Sequence, residues 1–325
     1  MAWLRVVFVP LLLCPLLLHA GQSGPPSSGQ QTAQEPPAAL FRTETNLALV
    51  SFQVISGGNA FISDLSADEI ELREDGIPQK IAMFEGGRFY PHLSSVEIHL
   101  LFDCSGSVQK ANALDPHVFS ANLLNEFPNV SVAVWGFSER TLVNLTAPTR
   151  DTRRLLGAID ALHSMPAGAT PLYASLTKVA ERLARAGGET VRLVVIVSDG
   201  LPEKDGAERE DAVRAAQSAG IVLFPVLIDS YRSTYNPWSP GLADLQSKFL
   251  KIAEMTGGRA FEFEGKGPKD LLDRILKGMA AEVRYNYVAG YYPASTGNPE
   301  LHKVQVVLKT STRGKVVQGA RIVQH

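Results

Sequence analysis

The sequence predicts an α/β fold, a doubly wound and mostly parallel sheet, inserted into a small antiparallel β-sandwich. Three observations predict it. From Val96 to Val283 short apolar runs alternate with amphipathic stretches, the pattern of parallel strands joined by helices. The first run, Val96–Phe102, has the continuous apolar character of a strand buried on both faces, and it ends in the residues Asp103-Cys104-Ser105-Gly106-Ser107. On either side, residues 41–84 and 285–322 read as strands and turns, and each stretch is too small to form a comfortable sheet alone.

In chain order, Arg5 is followed by an apolar run from Val6 to Leu18, with Leu18-His19-Ala20 as a small-residue cleavage site. Residues 1–20 therefore read as an export signal; the run is short for a membrane span and holds Pro10 and Pro15. A lipid anchor at Cys14 fits poorly, because Leu13 precedes it and apolar sequence continues beyond it. No later segment reads as transmembrane. After cleavage only Cys104 remains, so no intramolecular disulfide is expected, which suits a bacterial periplasmic, cell-envelope or secreted protein. Residues 21–40, rich in Pro, Gln and Ser, read as a disordered linker.

Residues 41–93 form the first part of the expected sandwich. Leu47–Val54 alternates as a strand, and Gly57-Gly58-Asn59 turns into Phe61 and Ile62. A short helical turn is expected at Asp64–Asp68. A strand carries Ile70 and Leu72, Glu74-Asp75-Gly76 turns, and Gln79–Phe84 runs back.

The α/β domain is expected over residues 94–283. Its strands are Val96–Phe102, Val130–Phe137, Leu193–Val197, Ile221–Leu227 and a piece near Ala260–Phe263. Leu172, Leu176, Val179, Ala180 and Leu183 share one helix face, closed by Gly187-Gly188. Leu245, Phe249, Ile252 and Ala253 do the same before Gly257-Gly258, and Leu271, Leu272, Ile275 and Met279 mark a last helix ending near Val283. Residues 284–325 supply return strands at Tyr285–Tyr292, His302–Leu308 and Val316–Ile322. Their unsatisfied sheet edges predict pairing with the strands of residues 41–84.

The chain is long enough for one large core or two modest ones, with 325 residues of which 45% are hydrophobic. Charged residues make up 20% and nearly cancel, at a net −2. No basic stripe points to nucleic acid.

The chemistry concentrates at three places. A strand ending at Asp103 delivers D-x-S-x-S to the carboxyl edge of the sheet, where open α/β folds bind ligands. Asp103, Ser105 and Ser107 can turn toward one point, and a carboxylate with two hydroxyls suits a hard cation, Mg²⁺ first. Gly168-Ala169-Thr170-Pro171 opens a helix, with Thr170 expected as N-cap and Pro171 as its first residue. Val194–Gly200 is a buried strand ending in Asp199.

On these residues the chain resembles a von Willebrand factor type A domain, a Rossmann-like fold with a metal-ion-dependent adhesion site built as D-x-S-x-S, then Thr, then Asp. The resemblance implies Ser105 and Ser107 as direct ligands. Asp103, Asp199 and Thr170 would bind directly or through water. Mn²⁺ or Ca²⁺ could stand in for Mg²⁺. With only two carboxylates, the ion would keep an exchangeable position for an Asp or Glu of a protein partner. Beyond that domain, Glu74–Phe84 (E-D-G-x-P-Q-K-I-x-x-F) and Gly290–Pro293 (G-Y-Y-P) resemble the exported VWFA-related proteins of acidobacteria.

Each residue also has a plain structural reading: Thr170 as a helix cap, Asp199-Gly200 as a turn, the serines as partners of backbone amides. The expected role is therefore an exported adhesion or interaction module, with a metal-independent envelope component as the alternative. Catalysis is not expected. Cys104 and Lys110 have the spacing of a cysteine-phosphatase loop, but Lys replaces the Arg that chemistry needs, and Asp103 opposes a low thiol pKa. His99 reads as packing, and Asp229–Gly241 as a candidate recognition rim.

Overall fold

A computed structural model of the chain describes residues 47–58, 60–87, 96–110, 130–139, 141–187, 190–228, 240–263, 284–294, 301–319 and 321–324. The expected signal and linker, the helix at Leu271–Val283 and nearly all of the Asp229–Gly241 rim lie outside the described residues.

The central sheet has six strands in the order β10-β9-β8-β5-β6-β7. They are β5 (Val96–Asp103), β6 (Val130–Ser138), β7 (Thr141–Thr149), β8 (Val191–Ser198), β9 (Val222–Ile228) and β10 (Phe261–Phe263). All pairings are parallel except β6 with β7. Helices α2 (Thr152–Leu162), α3 (Leu172–Ala186), α4 (Ala207–Ser218) and α5 (Pro240–Thr256) connect them, after a short α1 (Gly106–Lys110).

The continuous apolar runs explain the central strands. β8 and β9 are buried at every residue, and β5 at every residue but Glu97, as strands covered on both faces must be. One face packs Leu155, Ile159 and Leu162 of α2; the other packs Leu176 and Val179 of α3, Val213 of α4 and Phe249 and Ile252 of α5. Three of the longer elements escape the sequence reading. β7 is a largely exposed antiparallel edge strand, so no apolar alternation marks it. α4 buries only Ala212, Val213 and Ala216, too small a stripe to stand out. α2 carries Gly157 inside an otherwise ordinary stripe and is capped by Asp151, whose carboxylate accepts the amides of Arg153 and Arg154.

Two further sheets are antiparallel, ordered β13-β1-β11-β4 and β14-β12-β2-β3. They draw β1 (Ala48–Ile55), β2 (Ile70–Glu74), β3 (Ile77–Gln79) and β4 (Met83–Gly86) from before the central sheet. After it come β11 (Tyr287–Tyr291), β12 (Leu301–Leu308), β13 (Lys315–Val317) and β14 (Arg321–Gln324). The two groups pair directly, Val50 opposite Ala289 and Leu72 opposite Val306. Phe52, Ile70, Leu72, Tyr287, Tyr291 and Val304 build the core of these sheets. Alternation sends Val288 the other way, into the core of the central sheet, where Leu49 and Met83 also pack.

Two strands were expected to be longer than they are. Gln79–Phe84 divides into β3 and β4, which belong to different sheets. Val316–Ile322 likewise divides into β13 and β14, again in different sheets. Between them lies Gly319, whose backbone rests against Thr256 and Gly257 at the end of α5 with no room for a Cβ.

Candidate functional site

β5, the β6–β7 turn, the loop before α3 and the end of β8 meet at the carboxyl edge of the central sheet. Backbone bonds lace them together. The Cys104 amide donates to the Phe137 carbonyl at 2.8 Å, and the Gly106 amide to the Gly168 carbonyl at 3.4 Å. Glu139 turns β6 through a left-handed φ of 49° and donates its amide to the Ala169 carbonyl at 2.8 Å. Its side chain lies flat on Gly168, where any Cβ would collide with it. The Glu203 amide, from the loop after β8, donates to the Thr170 carbonyl at 2.8 Å.

Four of the five expected residues are joined by side-chain bonds. The Ser107 hydroxyl donates to Asp199 Oδ2 at 2.5 Å and lies 3.2 Å from the Ser105 hydroxyl. Asp103 Oδ1 accepts the Ser105 amide at 2.8 Å, which tightens the D-x-S turn and aims the serine. Asp103 and Ser105 are fully buried and Asp199 nearly so, whereas Ser107 is exposed and marks the open side. Thr170, buried, belongs to the same loop cluster through the Glu203 bond.

Thr170 does not cap α3. The helix begins at Leu172 with Pro171 in the cap position, and no side chain caps it. A proline disfavours helical backbone at the residue before it, in keeping with a helix that starts beyond Thr170 and takes no cap from a side chain.

Ser198 has a part that the sequence reading missed. Its hydroxyl donates to Asp103 Oδ2 at 2.6 Å and accepts the Gly200 amide at 3.1 Å. The signal becomes readable only once β8 is known to lie beside β5 with Val197 opposite Phe102, which makes Ser198 the next neighbour of Asp103. Gln109 is a second such residue; its amide bridges the Cys104 and Met165 carbonyls at 3.0 Å each, fixing the turn from below.

Burial, with the nearby Asp199 adding to it, pushes the Asp103 carboxyl up to about 6, against the pull of Ser198 and the Ser105 amide. Two carboxylates and two hydroxyls in a buried, negatively charged recess form an all-oxygen donor set of the kind that hard divalent cations take. Cys104 is fully buried beneath, its thiol pushed up to about 12 by burial and by Asp103. His99 sits mid-strand and fully buried; its Nδ1 accepts the Trp135 indole N–H at 3.1 Å, so its proton is on Nε2, 3.2 Å from Glu97.

The von Willebrand factor type A domain matches residues 97–266, more than half the chain. Human integrin alpha-X is 23% identical over 159 residues, 47% of this chain and 14% of that protein, so the chain spans a small part of that relative. Among solved structures, the pilus adhesin SpaC from Lactobacillus rhamnosus GG in its open conformation aligns over 81% of this chain and 48% of that one. The TM-score is 0.47, at 10% identity. A von Willebrand factor type A protein from Catenulispora acidiphila aligns over 87% and 75%, with a TM-score of 0.44 at 13% identity.

Proposed function

Since this chain belongs to the von Willebrand factor type A domain family, we propose that its loop cluster binds a divalent cation and, through it, an acidic side chain of a protein partner. The observation that carries this reading is the meeting of the Ser105 and Ser107 hydroxyls with the Asp199 carboxylate above the buried Asp103. Ser105 and Ser107 would hold the ion directly. Asp103, Asp199 and Thr170 would hold it directly or through water. Mg²⁺ is the first choice, with Mn²⁺ and Ca²⁺ able to replace it.

The ion would supply a positive charge at an open coordination position. Neutral hydroxyls leave that charge incompletely balanced, so a carboxylate from outside gains a charge-assisted contact there. The chain's own residues shape the recess: Ser198 and the Ser105 amide hold Asp103, and Ser107 keeps Asp199 turned toward the opening.

The role is binding, not turnover. The high thiol pKa and full burial of Cys104 support this, since a thiol nucleophile needs the opposite environment. The Val6–Leu18 run supports export to the periplasm, envelope or medium. Among the described residues no helix is long and apolar enough to cross a membrane.

Thermal unfolding of the chain in EDTA and in millimolar Mg²⁺ or Mn²⁺ tests the reading. An ion bound only by the native state stabilises it by about 2.7 kcal/mol when a hundredfold above its Kd. Wild type is expected to gain melting temperature with either ion, and Asp103→Ala to gain none. Equal curves for both proteins in all conditions would instead support a metal-independent structural role.

A further inference from the structure

We propose that Gln246, on α5, is a positioning residue for the site: its side-chain amide holds the Asp199 loop so that the Asp199 carboxylate faces Ser107. The effect on ion affinity rests on the reading above; the effect on loop geometry does not.

Gln246 is fully buried, unusual for a glutamine, and its Nε2 donates to the Asp199 carbonyl at 2.8 Å. A buried amide is costly unless its donors are used, and this bond offsets part of that cost. One helical turn on, the Phe249 ring lies under Gly200, where a Cβ would come within 2.9 Å of Cδ1 and 3.4 Å of Gln246 Cγ. Gly200 has a φ of 70°, so both its space and its backbone conformation demand glycine.

The peptide between Asp199 and Gly200 is thus held from both sides. From below, α5 binds its carbonyl through Gln246 and closes the space under Gly200. From above, the Leu201 amide donates to Asp199 Oδ1 at 3.1 Å and Ser107 donates to Oδ2 at 2.5 Å. Farther along the loop, Lys248 of α5 pairs with Asp205 at 3.4 Å, as well as with Asp244 on its own helix at 2.7 Å, a second tie between α5 and the loop. Without the Gln246 donor the peptide is held by the Gly200 amide bond to Ser198 alone, and the greater freedom of its carbonyl end loosens the hold of the Asp199 carboxylate on Ser107.

The test uses the full ¹⁵N-labelled chain and two variants. Gln246→Met keeps length and removes the donor. Gln246→Asn keeps the amide but is one methylene too short to reach, so it remains informative if the first variant does not fold. Amide hydrogen exchange at Gly200 and Leu201 is read in EDTA, and Mg²⁺ affinity by titration. Both variants are expected to exchange about three- to tenfold faster at these amides, the scale of one net hydrogen bond, and to bind Mg²⁺ weaker by a similar factor. A merely structural role would lower the melting temperature in EDTA and leave both quantities at the wild-type value, and that result overturns the proposal. If wild type binds no Mg²⁺ yet exchange at Leu201 rises in the variants, the positioning role stands and the cation reading fails.

Discussion

Ser198 donates its hydroxyl to Asp103 Oδ2 across 2.6 Å, joining the ends of two neighbouring parallel strands inside the core. The bond makes the D-x-S-x-S turn and the Asp199 loop one unit, because the Ser198 hydroxyl oxygen also receives the Gly200 amide. Ser198→Ala would leave a buried carboxylate oxygen and a buried N–H without this partner. The expected loss is about 1–3 kcal/mol of unfolding free energy, measured by chemical denaturation, with weaker ion binding alongside.

A second network lies halfway down β5. Glu97 Oε2 sits 3.2 Å from His99 Nε2 and 3.2 Å from Arg192 Nε. The His99 bond first, then the charge and bond of Arg192, hold the Glu97 carboxyl below its ordinary value of 4.5 against the cost of its partial burial. A depressed carboxyl contributes stability that is present above its unfolded value and lost as pH falls through its folded value. Wild type is therefore expected to lose stability below about pH 4.5 more steeply than Glu97→Gln. Paired urea titrations across pH 3–7 read that difference; parallel curves would contradict it.

The contact between Gly319 and the end of α5 makes a mechanical prediction. Thr256 and Gly257 occupy the space that a Cβ on Gly319 would need, and both sides are backbone. Gly319→Ala should destabilise by about 1–3 kcal/mol, the cost of forced overpacking. Thr256 is itself fixed, its hydroxyl accepting the Leu223 amide at 3.0 Å and donating to Ile252 O at 3.1 Å. Relief by shifting the helix end is therefore restricted, and a neutral Gly319→Ala would count against the packing described.

In the outer sheets Tyr287 is the residue to test. Its hydroxyl donates to the Ile62 carbonyl at 3.0 Å and accepts the Leu65 amide at 3.1 Å, while its ring stacks on Phe52 at 5.5 Å. Tyr287→Phe keeps the stacking and removes both bonds, so a loss of about 1–3 kcal/mol is expected from the stranded Leu65 amide.

The sequence carried the central sheet because β5, β8 and β9 are buried on both faces and must be apolar throughout. It pointed to Asp103, Ser105, Ser107 and Asp199 as neighbours because they stand at the ends of adjacent strands, and the structure joins them by hydrogen bonds, whereas Thr170 is tied in by its backbone carbonyl. β7 left no mark because an exposed edge strand needs no pattern, and Ser198 and Gln246 left none because their partners are set by pairing and packing. The E-D-G turn acquires its reason only in three dimensions. Asp75 and Gly76 take φ of 47° and 85° in a two-residue hairpin, and the Asp75 carboxylate receives the Lys303 amide at 2.8 Å from the far end of the chain. G-Y-Y-P divides the same way: Tyr291 is buried in the outer-sheet core, and Tyr292 is 53% exposed.

The proposed function requires the loop cluster to hold one divalent cation. Titrating the protein with Mn²⁺ while following the free ion by electron paramagnetic resonance tests it most directly. The expected result is one site per chain in wild type, lost in Asp199→Ala and weakened in Ser107→Ala, both still folded in EDTA. Mn²⁺ uptake that is absent in wild type, or equal in all three proteins, would contradict it.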